Sequence, residues 1–132
     1  GRYLDTALQA ASMNGHEAIV DQLLREGADV NAQGGYLDTP LVAASMNGHE
    51  AIVDRLLRDG ADVNAPRRYD RQTALEAASM SGHEAVVDRL LRAGADVNVQ
   101  GVKERTALRM ALMYGHDSVV ERLLGAGALP VT

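Results

Sequence analysis

The chain has 132 residues, enough for one ordinary domain, and a formal net charge of -5, which argues against nucleic acid as the partner. It has no Cys, which excludes disulfides and thiolate-held metals. It also has no Phe or Trp, so the core must be built from Ala, Leu, Val and Ile, a composition that suits thin helices packed in layers.

The predicted elements begin with Thr6, an N-cap residue with Gln9 three positions on as the partner of a capping box. Gly15 ends this short helix, because glycine takes the left-handed cap without strain. A second helix follows, with Ile19, Val20, Leu23 and Leu24 as its apolar stripe. Asp21 and Arg25 read as an i,i+4 pair on its outer face, and Gly27 ends it. The pattern then returns. Thr39 caps a helix with Pro40 at the first helical position, and Asp54 with Arg58 marks the outer face of the next helix. Thr73 with Glu76 is again a capping box, and Asp88 pairs with Arg92. Thr106, followed by Arg109 instead of an acid or amide, is the weakest helix start.

The register of the return is strict. Gly-His stands at Gly15, Gly48, Gly82 and Gly115, in steps of 33, 34 and 33, and Thr-x-Leu recurs in the same steps from Thr6. Gly-Ala-Asp-Val-Asn runs from Gly27, Gly60 and Gly94, and decays after Gly127 to Gly-Ala-Leu-Pro-Val. Ala10 to Ala32 and Ala43 to Ala65 differ only at Gln22 against Arg55 and Glu26 against Asp59, both expected on a solvated face. Such identity points to recent duplication or to consensus design. The single extra residue falls between Gly60 and Thr73, which locates a loop there. The repeats divide as 1–33, 34–66, 67–100 and 101–132, forming a single domain. Each helix is too short to stand alone, so neighbouring repeats must bury one another's apolar stripe in an elongated, all-helical array.

The period, with Thr39-Pro40-Leu41, Asn47-Gly48-His49 and Gly60 to Ala65, resembles the ankyrin repeat. The resemblance spans essentially the whole chain. It implies an all-α ankyrin-repeat solenoid of four helix-turn-helix repeats joined by hairpin-like loops. The His of the family signature is replaced by Gln9, Val42, Glu76 and Arg109. Ala7 to Ser12 with the Gly-Gly-Tyr loop is also similar to the near-identical ankyrin arrays of fungal NOD-like receptors. There the array follows a nucleotide-binding domain and is thought to act as the sensor. That likeness implies an intracellular, cytoplasmic location and a chain that is the tail of something larger. Apolar runs fall far short of a membrane span, and Gly1 to Asp5 does not read as a secretory leader.

The candidate sites are weighed against what repetition alone would produce. His16, His49, His83 and His116 hold one position per repeat, and rows of stacked helices about 8–10 Å apart keep such side chains from sharing a metal ion. Each is expected to open its second helix and bond nearby backbone. Asn31, Asn64 and Asn98 are expected to make local turn hydrogen bonds. Met13, Met46, Met80 and Met113 form a column that family geometry puts on the inner, concave edge of the first helix. It is either a soft contact strip or a copied residue. Tyr3, Tyr36 and Tyr69 fall in loop tips, and Tyr114 sits beside Met113. Loop packing is the expectation for Tyr3 and Tyr36, binding for Tyr69 and Tyr114. Arg67, Arg68 and Arg71, with Lys103 and Arg105 on the next loop, form either a solvated cluster or a recognition patch for an acidic surface.

The reading is a protein-binding module without cofactor or catalytic group, since no spacing brings nucleophile, base and oxyanion donor together. Its partner is expected on the concave face and loop tips, at Tyr69, Arg71, Met80, Lys103, Arg105, Arg109, Met113 and Tyr114. The alternative is a structural array that associates end to end through an uncapped first repeat.

Overall fold

In the computed structural model, residues 2–33, 39–68, 70–100 and 105–130 are described. Eight helices follow one another there: α1 (Arg2–Asn14), α2 (Glu17–Arg25), α3 (Pro40–Met46), α4 (Glu50–Arg58), α5 (Ala74–Ser81), α6 (Glu84–Arg92), α7 (Ala107–Met113) and α8 (Asp117–Gly125). No strand occurs among the described residues. Each odd-numbered helix packs on the even-numbered helix after it, giving an inner row of first helices and an outer row of second helices.

Side-chain size explains the shape. Ala43, Ala44, Ala77, Ala78 and Ala111 are buried along the first row, and alanine lets neighbouring helices approach closely. The second helices touch one another more sparsely, so the array curves with the first helices inside. Leu56, Leu90 and Leu123 occupy one register in the second row and are fully buried. Truncating such a leucine to Ala costs about 2–5 kcal/mol.

Three of the expected helix starts form. Thr39 Oγ1 accepts from the Val42 N–H at 3.1 Å, and Thr106 Oγ1 accepts from the Arg109 N–H at 3.1 Å. Thr73 and Glu76 complete a capping box. Thr6 does not cap, because α1 begins at Arg2 and runs through it. Its supposed partner Gln9 is buried and donates instead to the Ala32 carbonyl at 2.9 Å.

The longer α1 has a consequence at the outer loop. Asn31, Asn64 and Asn98 do make local bonds, each N–H donating to the Asp two residues earlier. Their side chains, however, reach into the next repeat. Asn31 Oδ1 accepts from the Asp62 N–H at 2.7 Å, and its Nδ2 donates to the Gly60 carbonyl at 3.1 Å. Asn64 and Asn98 repeat both bonds. In the first repeat the matching amide, Asp29 N–H, donates to Asp5 Oδ1 at 2.7 Å. The extra turn of α1 therefore supplies the acceptor that an asparagine supplies elsewhere.

The outer ion pairs also run between repeats. Asp21 pairs with Arg55 at 2.6 Å, Asp54 with Arg89 at 2.8 Å and Asp88 with Arg122 at 2.9 Å. The expected partners Arg25, Arg58 and Arg92 lie exposed. The Gln22-to-Arg55 difference thus acquires a reason: Arg55 meets an aspartate of the repeat before it. Such half-exposed pairs contribute at most about 1 kcal/mol each.

Candidate functional site

The glycines that follow α1, α3 and α5 each prepare a seat for the next repeat. Gly15, Gly48 and Gly82 have φ of +78°, +73° and +76°, so they favour the residue without a Cβ. The rings of His49, His83 and His116 lie against them, so close that an added Cβ would approach ring atoms to 2.8, 2.7 and 2.6 Å. The same rings bring Nε2 to the carbonyls of Met13, Met46 and Met80 at 3.0, 3.1 and 2.9 Å. His49, His83 and His116 are therefore joints between repeats, tied to the backbone of the preceding Met. Among the described residues no three His, Asp or Glu side chains gather to hold a metal ion.

The inserted loop is closed on itself. Arg67 N–H donates to the Gln72 carbonyl and Arg71 N–H to the Arg67 carbonyl, both at 2.9 Å. The Arg67 guanidinium grips Asp70 through both oxygens, at 2.7 and 2.8 Å. That contact, above all, holds the Asp70 carboxyl below its ordinary pKa. Arg67 is thus a loop brace. Arg68 and Arg71 remain exposed, and Arg71 takes φ +61°, a conformation uncommon outside glycine. Arg105, also exposed, lies near enough for its charge to favour the ionised forms of Asp70 and Glu76. Tyr36, Tyr69 and Lys103 lie outside the described residues.

Glu76 was visible in the sequence as a capping partner, but not as a buried acid. It is 2% exposed, and burial raises its pKa to about 7.

On the inner row, Arg109 and Met113 are four residues apart and share a face of α7, with Tyr114 at its C-cap. Met113 is 65% exposed and Tyr114 55%, whereas Arg109 is half-buried. Met13, Met46 and Met80 are half-buried, so the column is most open at its last member. Tyr3 stands fully out on α1 and is not packed in a loop.

The family model for ankyrin repeats (3 copies) matches residues 2–67 and again 66–131, nearly the whole chain. The chain belongs to the ankyrin-repeat family. Ankyrin repeats are generally protein–protein interaction modules and generally not enzymes. No curated protein matches the chain. No ankyrin helix among the described residues is long and apolar enough to cross a membrane.

Proposed function

We propose that this ankyrin array binds a protein partner through the inner face and loop edge of its third and fourth repeats. The observation that carries the reading is the exposed Met113–Tyr114 pair at the end of α7, beside Arg109 on the same helix. An aromatic anchor, an adaptable thioether and a positive rim are the usual parts of an interface centre. Met80 extends the apolar strip one repeat back, and Arg71 with Arg105 supplies charge at the loop edge. Tyr69, which precedes Asp70, and Lys103, two residues before Arg105, are included in the proposal on sequence position alone. The first two repeats are nearly copies, so they offer little individual specificity. An acidic protein surface fits the positive edge. Likeness to fungal NOD-like receptor arrays makes the surface a sensor in a larger cytoplasmic protein.

The test compares variants against a protein captured by the native chain from a cell extract. Tyr114→Ala and Tyr69→Ala should each weaken it by more than about 1 kcal/mol while circular dichroism is unchanged. Gln22→Ala and Arg25→Ala, on the second row, should change little. Loss of binding in the second-row variants with none in the tyrosine variants overturns the assignment.

A further inference from the structure

The third repeat carries two departures side by side, an inserted loop and a buried acid. The loop runs straight into α5, and Gln72, Thr73 and Glu76 are all buried at the join. Gln72 Nε2 lies 4.0 Å from Met80 Sδ, so the end of the loop is seated along α5. A continuous chain of bonds links the loop to the acid. Arg67 grips Asp70, and Asp70 Oδ1 accepts from the Gln72 N–H at 3.0 Å. Glu76 Oε1 then accepts from the Thr73 N–H at 3.4 Å and from the Thr73 hydroxyl at 3.2 Å. The other repeats hold Gln9, Val42 and Arg109 at this register, so an acid stands there only beside the inserted loop.

The surroundings of Glu76 suit its neutral form. Both bonds to its carboxyl come from Thr73, and no cation is bonded to it among the described residues. Of the helices packed on α5, α3 has no titratable side chain and α7 brings only Arg109, half-buried at the same register. On α6, Glu84 and Asp88 pair with Arg122, Arg89 pairs with Asp54, and Arg92 is exposed. His83 and His116 are occupied at the carbonyls of Met46 and Met80. From the loop, Asp70, held ionised by Arg67, opposes a second negative charge, and the exposed Arg105 is the cation that favours one. Burial outweighs both and keeps the proton on. Gln72 Oε1 is also buried with no hydrogen-bond partner among the described residues, so the seated loop leaves one polar atom unmet.

We propose that the inserted loop is a proton-dependent latch, seated on α5 while Glu76 is neutral and released when Glu76 ionises. A carboxylate at this site is buried with no cation bonded to it, a state that loss of hydration strongly disfavours. Lifting the loop lets water reach Glu76, separates it from Asp70 and hydrates Gln72. The lift gives up the two backbone bonds that close the loop. Thr73 still caps α5 by accepting from the Glu76 N–H, so the movement is local. Arg68 and Arg71 ride on the loop, so partner affinity follows the latch. That consequence rests on the function proposed above, whereas the latch itself does not.

Amide exchange followed by NMR tests the latch with no partner present, so its outcome is separate from that of the binding reading. The Glu76 pKa is about 7 with the loop seated and an ordinary 4.5 once the group is in water. The seat is therefore fully held below about pH 4.5 and is lost as pH rises through 7. Opening should grow roughly tenfold between about pH 6 and pH 8. The change should appear at the amides of Arg67, Arg71 and Gln72, after correction for base-catalysed exchange. It should not respond to low urea, which marks a local opening. Glu76→Gln, and Glu76→Val, which copies Val42 of the second repeat, cannot titrate and should abolish the pH dependence. Loop amides equally protected at both pH values overturn the proposal, as does the same change in both variants. Loop amides that exchange only with the urea dependence of α3 overturn it too, because Glu76 then sets the stability of the chain without releasing the loop.

Discussion

The ring of His83 closes over Gly48: a methyl group on that glycine would sit 2.7 Å from His83 Nδ1. His83 Nε2 meanwhile lies 3.1 Å from the Met46 carbonyl oxygen. One side chain thus uses both the backbone freedom of a glycine and its lack of a side chain.

The two requirements separate by substitution. Gly48→Ala and Gly115→Ala both force a Cβ residue into the left-handed region, which costs about 1–2 kcal/mol. Only Gly48→Ala also pushes against an imidazole, which adds about 1–3 kcal/mol of overpacking. Urea unfolding at low protein concentration should show the larger loss at Gly48. Equal losses would mean that the histidine seat contributes nothing.

Asp5 closes the outer loop of the first repeat by accepting from the Asp29 amide. Even so, the first repeat has a neighbour on one side only, and amide exchange should be fastest there and slowest in the two middle repeats. Asp5→Ala should speed exchange at the Asp29 amide and along α2, and Asp5→Asn, which keeps an acceptor oxygen, should restore protection. Exchange at Asp29 unaffected by Asp5→Ala contradicts this role.

Glu76 makes stability depend on pH. Burial raises its pKa from an ordinary 4.5 to about 7, against the opposing effect of its hydrogen bonds from Thr73. The folded chain then holds this proton at a pH where the unfolded chain has released it. Its contribution is full below about pH 4.5, declines as pH rises towards 7 and is gone above that, a change on the order of 3 kcal/mol. Glu76→Gln keeps the shape and cannot titrate. Between about pH 5 and pH 8 the Gln variant should gain stability relative to the native chain, measured by denaturant unfolding. A constant difference would show that Glu76 does not carry the shift.

That Arg109 and Met113 share a face of α7, with Tyr114 following at its C-cap, was legible in the sequence, because a spacing of four is a local rule. Arg67 reads in sequence as one of a cluster of arginines, and its grip on Asp70 depends on the turn that closes the inserted loop on itself.

The period, the number of repeats, the helix pairs and three of the four threonine caps can be read along the chain. These depend on groups within a few residues of one another, and recurrence in register made each local signal count several times. Which groups meet across repeats is set by how one repeat stacks on the next. Asp21 stands four residues from Arg25, yet the stacking brings Arg55 against it. Asn31 could satisfy itself in its own turn, but the next loop lies within reach of its side chain. Thr6 carries the signature of a cap, yet the helix runs through it and places Asp5 under the Asp29 amide. In each case the partner is distant in the chain, and the packing of one repeat on the next sets the distance between them.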